Sequence, residues 1–294
     1  MSAKAAQLRT LLNSQEMCVI MEAHNGLSAR LVEEAGFQAI WASGLAISCS
    51  LGVRDCNEAS WTQVLEVLEF MEDATDLPIL LDGDTGYGNF NNVRRLVKKL
   101  SWRGSAGVCL EDKVFPKKNS FANGQPEDLV DVNEFAGKIR AAKDSQRDDN
   151  FVVVARTEAY IVGRGTDEAI DRASRYAEAG ADAILVHSKR SDSNEIEAFM
   201  ARWNGCAPII VVPTTYSHVP LRQFSVLGIS NVIFANHAIR TVAHALEKNL
   251  RLLRTTLDLS VLEGKVATVE ELFRLQNMFE LEAAEKRYLP GKAI

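Results

Sequence analysis

The sequence predicts an α/β protein of the (β/α)8 TIM-barrel type followed by a helical extension. Three features lead to that class. Short runs rich in Val, Ile and Leu alternate with amphipathic stretches almost from end to end, the runs number eight, and a helix–glycine–strand joint recurs four times. Apolar runs without clean alternation suit strands that are covered on both faces. Eight of them, separated by helices, favour a parallel sheet closed on itself. The 294 residues then divide into one barrel, which commonly takes about 250 residues, and a tail.

Taken in order, MSAKAAQLRTLLNS at the start reads as an amphipathic helix rather than a signal peptide, which needs an uninterrupted apolar stretch. Strands are expected over 17–23, 38–42, 79–82, 106–111, 151–156, 183–187, 209–213 and 231–235. Helices are expected over 27–35, 61–71, 92–100, 132–143, 167–179, 194–203 and 220–227. The joints EAGFQAIWA, RGSAGVCLE, EAGADAILVH and LGISNVIFA place Gly36, Gly104, Gly180 and Gly228 just before a strand. Glycine there suits the residue after a helix, which takes a left-handed conformation most easily without a Cβ. Beyond the last strand, helices are expected over 237–257 and 268–286, with a polar connection around Gly264. The expected organisation is a barrel over 1–236 that carries the active site, with helices over 237–294 capping it or packing on a neighbouring subunit.

Composition excludes several functions. The chain has 33 Lys+Arg against 39 Asp+Glu, a net charge of -6, and no basic block. That balance argues against nucleic acid or an anionic membrane as partner. No apolar run approaches the roughly 20 residues of a membrane span. The cysteines Cys18, Cys49, Cys56, Cys109 and Cys206 are odd in number and scattered, which fits reduced thiols in a cytoplasmic protein.

In a parallel α/β barrel the reactive groups stand at the C-terminal strand ends. Those ends read His24-Asn25, Trp41-Ala42-Ser43-Gly44, Asp82-Gly83-Asp84, Glu111-Asp112-Lys113, Arg156-Thr157-Glu158, His187-Ser188-Lys189, Thr214-Thr215 and Asn236-His237. Asp82, Asp84 and Glu111 are hard oxygen donors with no thiolate or histidine spacing nearby, a set suited to Mg2+ or Mn2+ rather than Zn2+. Arg156, His187 and Lys117 add cationic groups at the same mouth, which implies a small anionic substrate. Singly, an aspartate at a strand end is more often a helix cap, and His24, His218 and His244 read as structural or surface residues. The coincidence of complementary groups at every strand end is what points to a site. Gly83, Gly86 and Gly88 allow close backbone approach in DGDTGYGNFNN, but they do not form a phosphate-binding GxGxxG. Cys56 has no His or Asn patterned as its base.

With these residues assembled, the chain resembles the isocitrate lyase/phosphoenolpyruvate mutase superfamily, and within it the phosphoenolpyruvate mutase branch. The resemblance runs from EAHNGLSARLVEEAGF at 22–37 to EKRYLP at 285–290, through WASGL, LGVRDCNEASW, DGDTGYGNFNN, EDKVFPKKNS, VARTEA and ILVHSK. It implies that Asp82 binds Mg2+ directly and that Asp84 and Glu111 hold it through water. It implies a turn at Ser43, Gly44 and Leu45 receiving the substrate carboxylate, with Trp41 as a pocket wall. Arg156 and His187 would surround the transferring phosphoryl group, Asp55 would stand beside phosphorus, and Glu158 would support Arg156. Lys117, Asn119 and Ser120 would belong to a mobile gating loop. The implied reaction interconverts phosphoenolpyruvate and 3-phosphonopyruvate. The implied assembly is a homodimer or homotetramer in which the C-terminal helix is exchanged between subunits.

The rivals differ in particular residues. Isocitrate and methylisocitrate lyases carry a KKCGH-type loop with a catalytic cysteine, where this chain reads KVFPKKNS. Phosphonopyruvate hydrolase shares the metal site, Lys117, Arg156 and His187, but more usually has threonine at the position of Asn119 and keeps RDxNEASW less faithfully. A non-catalytic metabolite-binding barrel would be signalled by loss of a metal carboxylate or of Arg156, and none is lost. Two departures from the pattern are Gly83 for a more usual alanine, expected to relax the metal loop, and Phe121 for leucine, expected to alter how the gate packs.

Overall fold

Eight strands pair in parallel, in sequence order, and the last returns to the first to close the ring. They are β1 (Cys18–Ala23), β2 (Ala39–Ala42), β3 (Ile79–Asp82), β4 (Gly107–Glu111), β5 (Val152–Thr157), β6 (Ala183–Val186), β7 (Ile209–Val211) and β8 (Asn231–Phe234). Closure sets Cys18 opposite Asn231 and Ile20 opposite Ile233. The structure of the protein is a computed structural model that describes residues 2–121 and 128–289.

The helices are α1 (Ala3–Leu12), α2 (Gly26–Glu34), α3 (Gly44–Leu51), α4 (Trp61–Ala74), α5 (Phe90–Arg103), α6 (Val132–Lys143), α7 (Gly165–Glu178), α8 (Asn194–Met200) and α9 (Leu221–Val226). Beyond them come α10 (His237–Thr256), α11 (Val269–Leu275) and α12 (Met278–Tyr288). Gly36, Gly104, Gly180 and Gly228 all have φ between 80° and 101°, as the joint motif requires.

Two apolar layers follow from the two faces of the strands. Outward-facing Ile40, Leu81, Val108, Val153, Ile184 and Val232 pack with Leu68, Leu96, Ile139, Tyr176, Phe199 and Phe224 of the helices. Inward-facing Ile20, Leu80, Val154, Leu185, Ile210 and Ile233 fill the barrel, together with Leu8 and Leu12 of α1. Every strand residue of β2, β3, β4, β6 and β7 is buried, which is why none of these runs alternates.

Two local expectations change. The stretch after β2, expected as a turn, is the first turn of α3, with Ser43 as its N-cap accepting from the Ala46 amide at 3.3 Å. GLAISCSL is too uniformly apolar to show helical periodicity. The helix expected over 268–286 is two helices, α11 and α12, separated at Asn277 with φ 56°. The chain divides into two compact units between Ile239 and Arg240. Within the second, Leu246, Leu250, Phe273, Phe279 and Leu281 are exposed. Among the described residues, no helix is long and apolar enough to cross a membrane.

Candidate active site

Three segments after β2, β3 and β4 build most of the barrel mouth, and each is fixed by local chemistry. After β3 the chain turns back against β4: the Gly83 amide donates to the Cys109 carbonyl at 2.8 Å, and the Glu111 amide donates to that of Asp84 at 2.8 Å. A Cβ on Gly83 would stand 2.5 Å from Val108 Cγ2 and 3.0 Å from the Cys109 oxygen. The missing methyl therefore leaves a packed joint, correcting the expectation of a relaxed metal loop. After β4, Lys113 forms an antiparallel bridge with Leu129, and the Val130 amide donates to the Asp112 carbonyl at 3.0 Å. These contacts pin both ends of the excursion that carries Lys117, Asn119 and Ser120.

The carboxylates line one side of the mouth. Asp82 Oδ2 accepts from the Gly44 amide at 3.2 Å, an approach that a side chain on Gly44 would obstruct, since its Cβ would lie 3.2 Å from that same oxygen. Asp84 Oδ1 faces Lys117 Nζ at 2.6 Å, and its Oδ2 accepts from Asn57 Nδ2 at 2.7 Å. Burial, reinforced by Asp82, Asp55 and Glu111 against the pull of Lys117, pushes Asp84 up to about 7. Glu111 is likewise raised, by burial that Arg156, Lys117 and Lys113 do not offset. Glu111 Oε1 is buried with no hydrogen-bond partner among the described residues. A desolvated group of carboxylates with an orphaned oxygen fits a hard divalent cation. Among the described residues no three His, Cys, Asp or Glu side chains converge as direct ligands, so the fit is to an ion that keeps most of its waters, as Mg2+ does.

Asp55 stands in the segment between α3 and α4, its side chain only 7% exposed, with Lys117 Nζ 2.9 Å from Oδ1 and Asn119 Nδ2 2.5 Å from Oδ2. Burial opposes its ionisation, yet Lys117, Asn119 and Arg156 together hold its carboxyl below the usual range. Lys117 itself is held well above its ordinary value: burial disfavours the charge, and Asp84, Glu111, Asp82 and Asp55 outweigh it.

The opposite wall is cationic and is organised by Glu158, which is fully buried. Its Oε1 accepts from Arg156 Nε at 2.5 Å and lies 2.8 Å from His187 Nδ1, and its Oε2 accepts from Ser120 Oγ at 2.6 Å. Burial works against the Glu158 charge, but Arg156 and His187 keep it ionised well below the ordinary value. His187 is lowered, first by burial and then by Arg156, against the pull of Glu158. Its Nδ1 also lies 2.9 Å from Arg156 Nη2, so acceptor and donor neighbours ask for opposite tautomers of one neutral ring. Beneath Glu158, Asp112 Oδ1 accepts from the Glu158 amide at 2.9 Å, while Asp112 Oδ2 accepts from Tyr176 at 2.8 Å and Arg172 at 3.3 Å.

The structure thus brings Trp41, Ser43, Leu45, Asp55, Asp82, Glu111, Lys117, Asn119, Ser120, Arg156 and His187 around one cavity of about 50 Å3. At roughly 10–15 Å3 for each water position, that space suits a compact acid. Gly44, Asp84 and Glu158 stand directly behind this lining. Two contributors, Asn57 and Lys113, carry no role read from sequence, whereas Phe121 is the residue expected to alter how the gate packs. Asn57 joins Asp84 to the Lys117 amide. Lys113 Nζ donates to Ser120 Oγ and to the Lys118 carbonyl, each at 2.7 Å. Phe121 packs edge-on against His187, ring centroids 5.6 Å apart. A lysine two residues past a strand-end carboxylate was the available signal for Lys113; nothing local marked Asn57.

Fold and site together define an α/β-barrel enzyme for a small, multiply charged anion. The phosphoenolpyruvate phosphomutase family model matches residues 8–254, and the chain belongs to that family. It is 56% identical over 286 residues to phosphoenolpyruvate phosphomutase of Tetrahymena pyriformis, covering 97% of this chain and 95% of the relative. The crystal structure of the phosphoenolpyruvate phosphomutase from Streptomyces platensis subsp. rosaceus superposes with a TM-score of 0.94 at 42% identity, covering 97% of this chain and 99% of that one. A phosphonopyruvate hydrolase solved with oxalate and Mg2+ superposes with a TM-score of 0.92 at 38% identity, covering 98% and 100%.

Proposed function

We propose that this chain interconverts phosphoenolpyruvate and 3-phosphonopyruvate, moving phosphorus between oxygen and carbon within one molecule. One observation carries the reading: the segment bearing Lys117, Asn119 and Ser120 folds over the mouth to reach Asp55 and Glu158, enclosing a cavity walled by Arg156 and His187. The identity of 56% to a phosphomutase against 38% to a phosphonopyruvate hydrolase favours isomerisation over hydrolysis.

Asp82, Asp84 and Glu111 would hold Mg2+, with Mn2+ as substitute; when bound, the ion supplies Lewis-acid stabilisation of enolate charge. Ser43, Gly44 and Leu45 open α3 beside Asp82 and receive the substrate carboxylate, and Trp41 bounds the pocket. Arg156, His187 and Asn119 hold the phosphoryl oxygens through a loose transfer in which positioning and charge do most of the catalysis. An anion engaging Arg156 Nη2 leaves His187 Nδ1–H free to donate to Glu158, which resolves the tautomer conflict. Asp55, kept ionised beside Lys117, stands at phosphorus. Lys117 and Ser120 hold the gate shut, excluding the water that would otherwise capture the phosphoryl group.

Leu246, Leu250, Phe273, Phe279 and Leu281 leave large apolar side chains in water, the kind of exposure that marks an interaction surface when it is contiguous. We assign it to helices exchanged with a second copy, giving a homodimer or homotetramer. The five free cysteines favour work in the cytoplasm.

Phosphonopyruvate incubated with the protein and Mg2+, followed by 31P NMR, tests the reading. Appearance of phosphoenolpyruvate supports it. Phosphate with pyruvate would make the protein a hydrolase, and no change would make it a binding protein. Chelating the metal should abolish turnover, and Mg2+ should restore it.

A further inference from the structure

Asn57 lies outside the cavity lining, yet its one side chain ties together three loops. Its Nδ2 donates to Asp84 Oδ2 at 2.7 Å, and its Oδ1 accepts from the backbone amide of Lys117 at 2.9 Å. The first contact orients a carboxylate of the metal group; the second docks the gate. The residue sits at φ 61°, a left-handed conformation that asparagine tolerates better than most side chains. That conformation lets the amide face both loops from the turn that also carries Asp55. Lys117 closes the circuit, since its ammonium spans Asp55 Oδ1 at 2.9 Å and Asp84 Oδ1 at 2.6 Å.

We propose that Asn57 is a positioning residue that couples occupation of the carboxylate group to closure of the gate. The gate docks its Lys117 amide on Asn57 only when the carboxamide is turned to Asp84, so whatever holds Asp84 in place favours closure. By linkage the effect is reciprocal: a closed gate strengthens binding at the carboxylates by the same factor. The proposal rests on the reading of Asp82, Asp84 and Glu111 as the Mg2+ group. It gives the enzyme an order of events, in which the gate shuts over a loaded site in preference to an empty one.

The test uses oxalate, a compact planar dianion, with Mg2+ as the probe. Tryptic cleavage after Lys117 or Lys118, mapped by mass spectrometry, reports gate opening; calorimetric titration of Mg2+ in the presence of oxalate reports binding. Asn57→Gly removes both contacts without backbone strain. Asn57→Asp keeps an acceptor for the Lys117 amide but loses the donor to Asp84. In the native chain, Mg2+ with oxalate should slow cleavage. In both variants that protection should fall about tenfold, and Mg2+ affinity with oxalate should fall by a similar factor, within the range of ordinary coupling, while circular dichroism stays native. If the native chain neither binds the pair nor is protected by it, the metal reading fails and takes the coupling with it. If the native chain is protected and either variant is protected equally, the metal reading stands and the role of Asn57 is overturned.

Discussion

At the N-terminal end of the barrel, Leu8 and Leu12 of α1 close over Ala106, Val152, Ala183 and Cys18, an apolar plug with little exposure. At the C-terminal end, within the same ring of strands, Asp55, Asp82, Asp84, Glu111, Lys117, Arg156 and Glu158 crowd into a desolvated space. The first end gains stability from burial. The second keeps charges that burial disfavours: Asp84 is pushed up to about 7, whereas Asp55 and Glu158 are held ionised against burial by the charges and hydrogen bonds of Lys117, Asn119, Arg156 and His187. One barrel thus separates what holds it together from what it uses, and substitutions at the two ends should fail in different ways.

Asp55→Ala should break this comparison most sharply. Turnover should drop by about 10³-fold, the size expected when an electrostatic group at the reacting centre is lost, while the circular dichroism spectrum stays native. Wild-type-like turnover would sink the site assignment. Leu8→Ala is its mirror: unfolding in guanidinium should show a loss of about 2–5 kcal/mol, with turnover per folded molecule unchanged. Gly83→Ala tests where the two behaviours meet. Its methyl would press on Val108 behind the metal loop, costing about 1–3 kcal/mol and also raising the Mg2+ concentration needed for half-maximal activity. A stability loss without that second effect would mean that the loop absorbs the strain away from Asp82. Tyr176→Phe is the mildest, removing the hydroxyl that donates to Asp112 and accepts from Arg172 beneath Glu158 at about 1–2 kcal/mol, read as a small fall in thermal midpoint.

The two ends also differed in how much could be read from sequence. The strands were legible because residues covered on both faces have to be apolar along their whole length, as VVVA and AILV are. Each strand-end charge could then be placed by counting along the chain. Other features depend on what returns to meet them. Asn57 matters because the Lys117 amide folds back onto it from 60 residues away, a distance that no local pattern encodes. Gly83 suggests looseness in sequence alone, whereas Val108 fills the space its side chain would need. The GLAISCSL helix was hidden because it is apolar on nearly every side.

The plug has a consequence in time. Helix α1 precedes every strand in chain order, yet its seat is assembled from distant parts of the chain. Asn231 Nδ2 donates to the Leu12 carbonyl at 2.9 Å, Ser230 Oγ donates to that of Ser14 at 2.7 Å, and Arg9 pairs with Asp182 at 2.9 Å. A nascent chain halted before β8 therefore carries Leu8 and Leu12 without a finished floor to rest on. The entropy of joining residues more than two hundred positions apart is spent before those contacts repay it. The ring cannot close before β8 is present, and until then α1 lacks part of the seat that shields Leu8 and Leu12 from wrong partners.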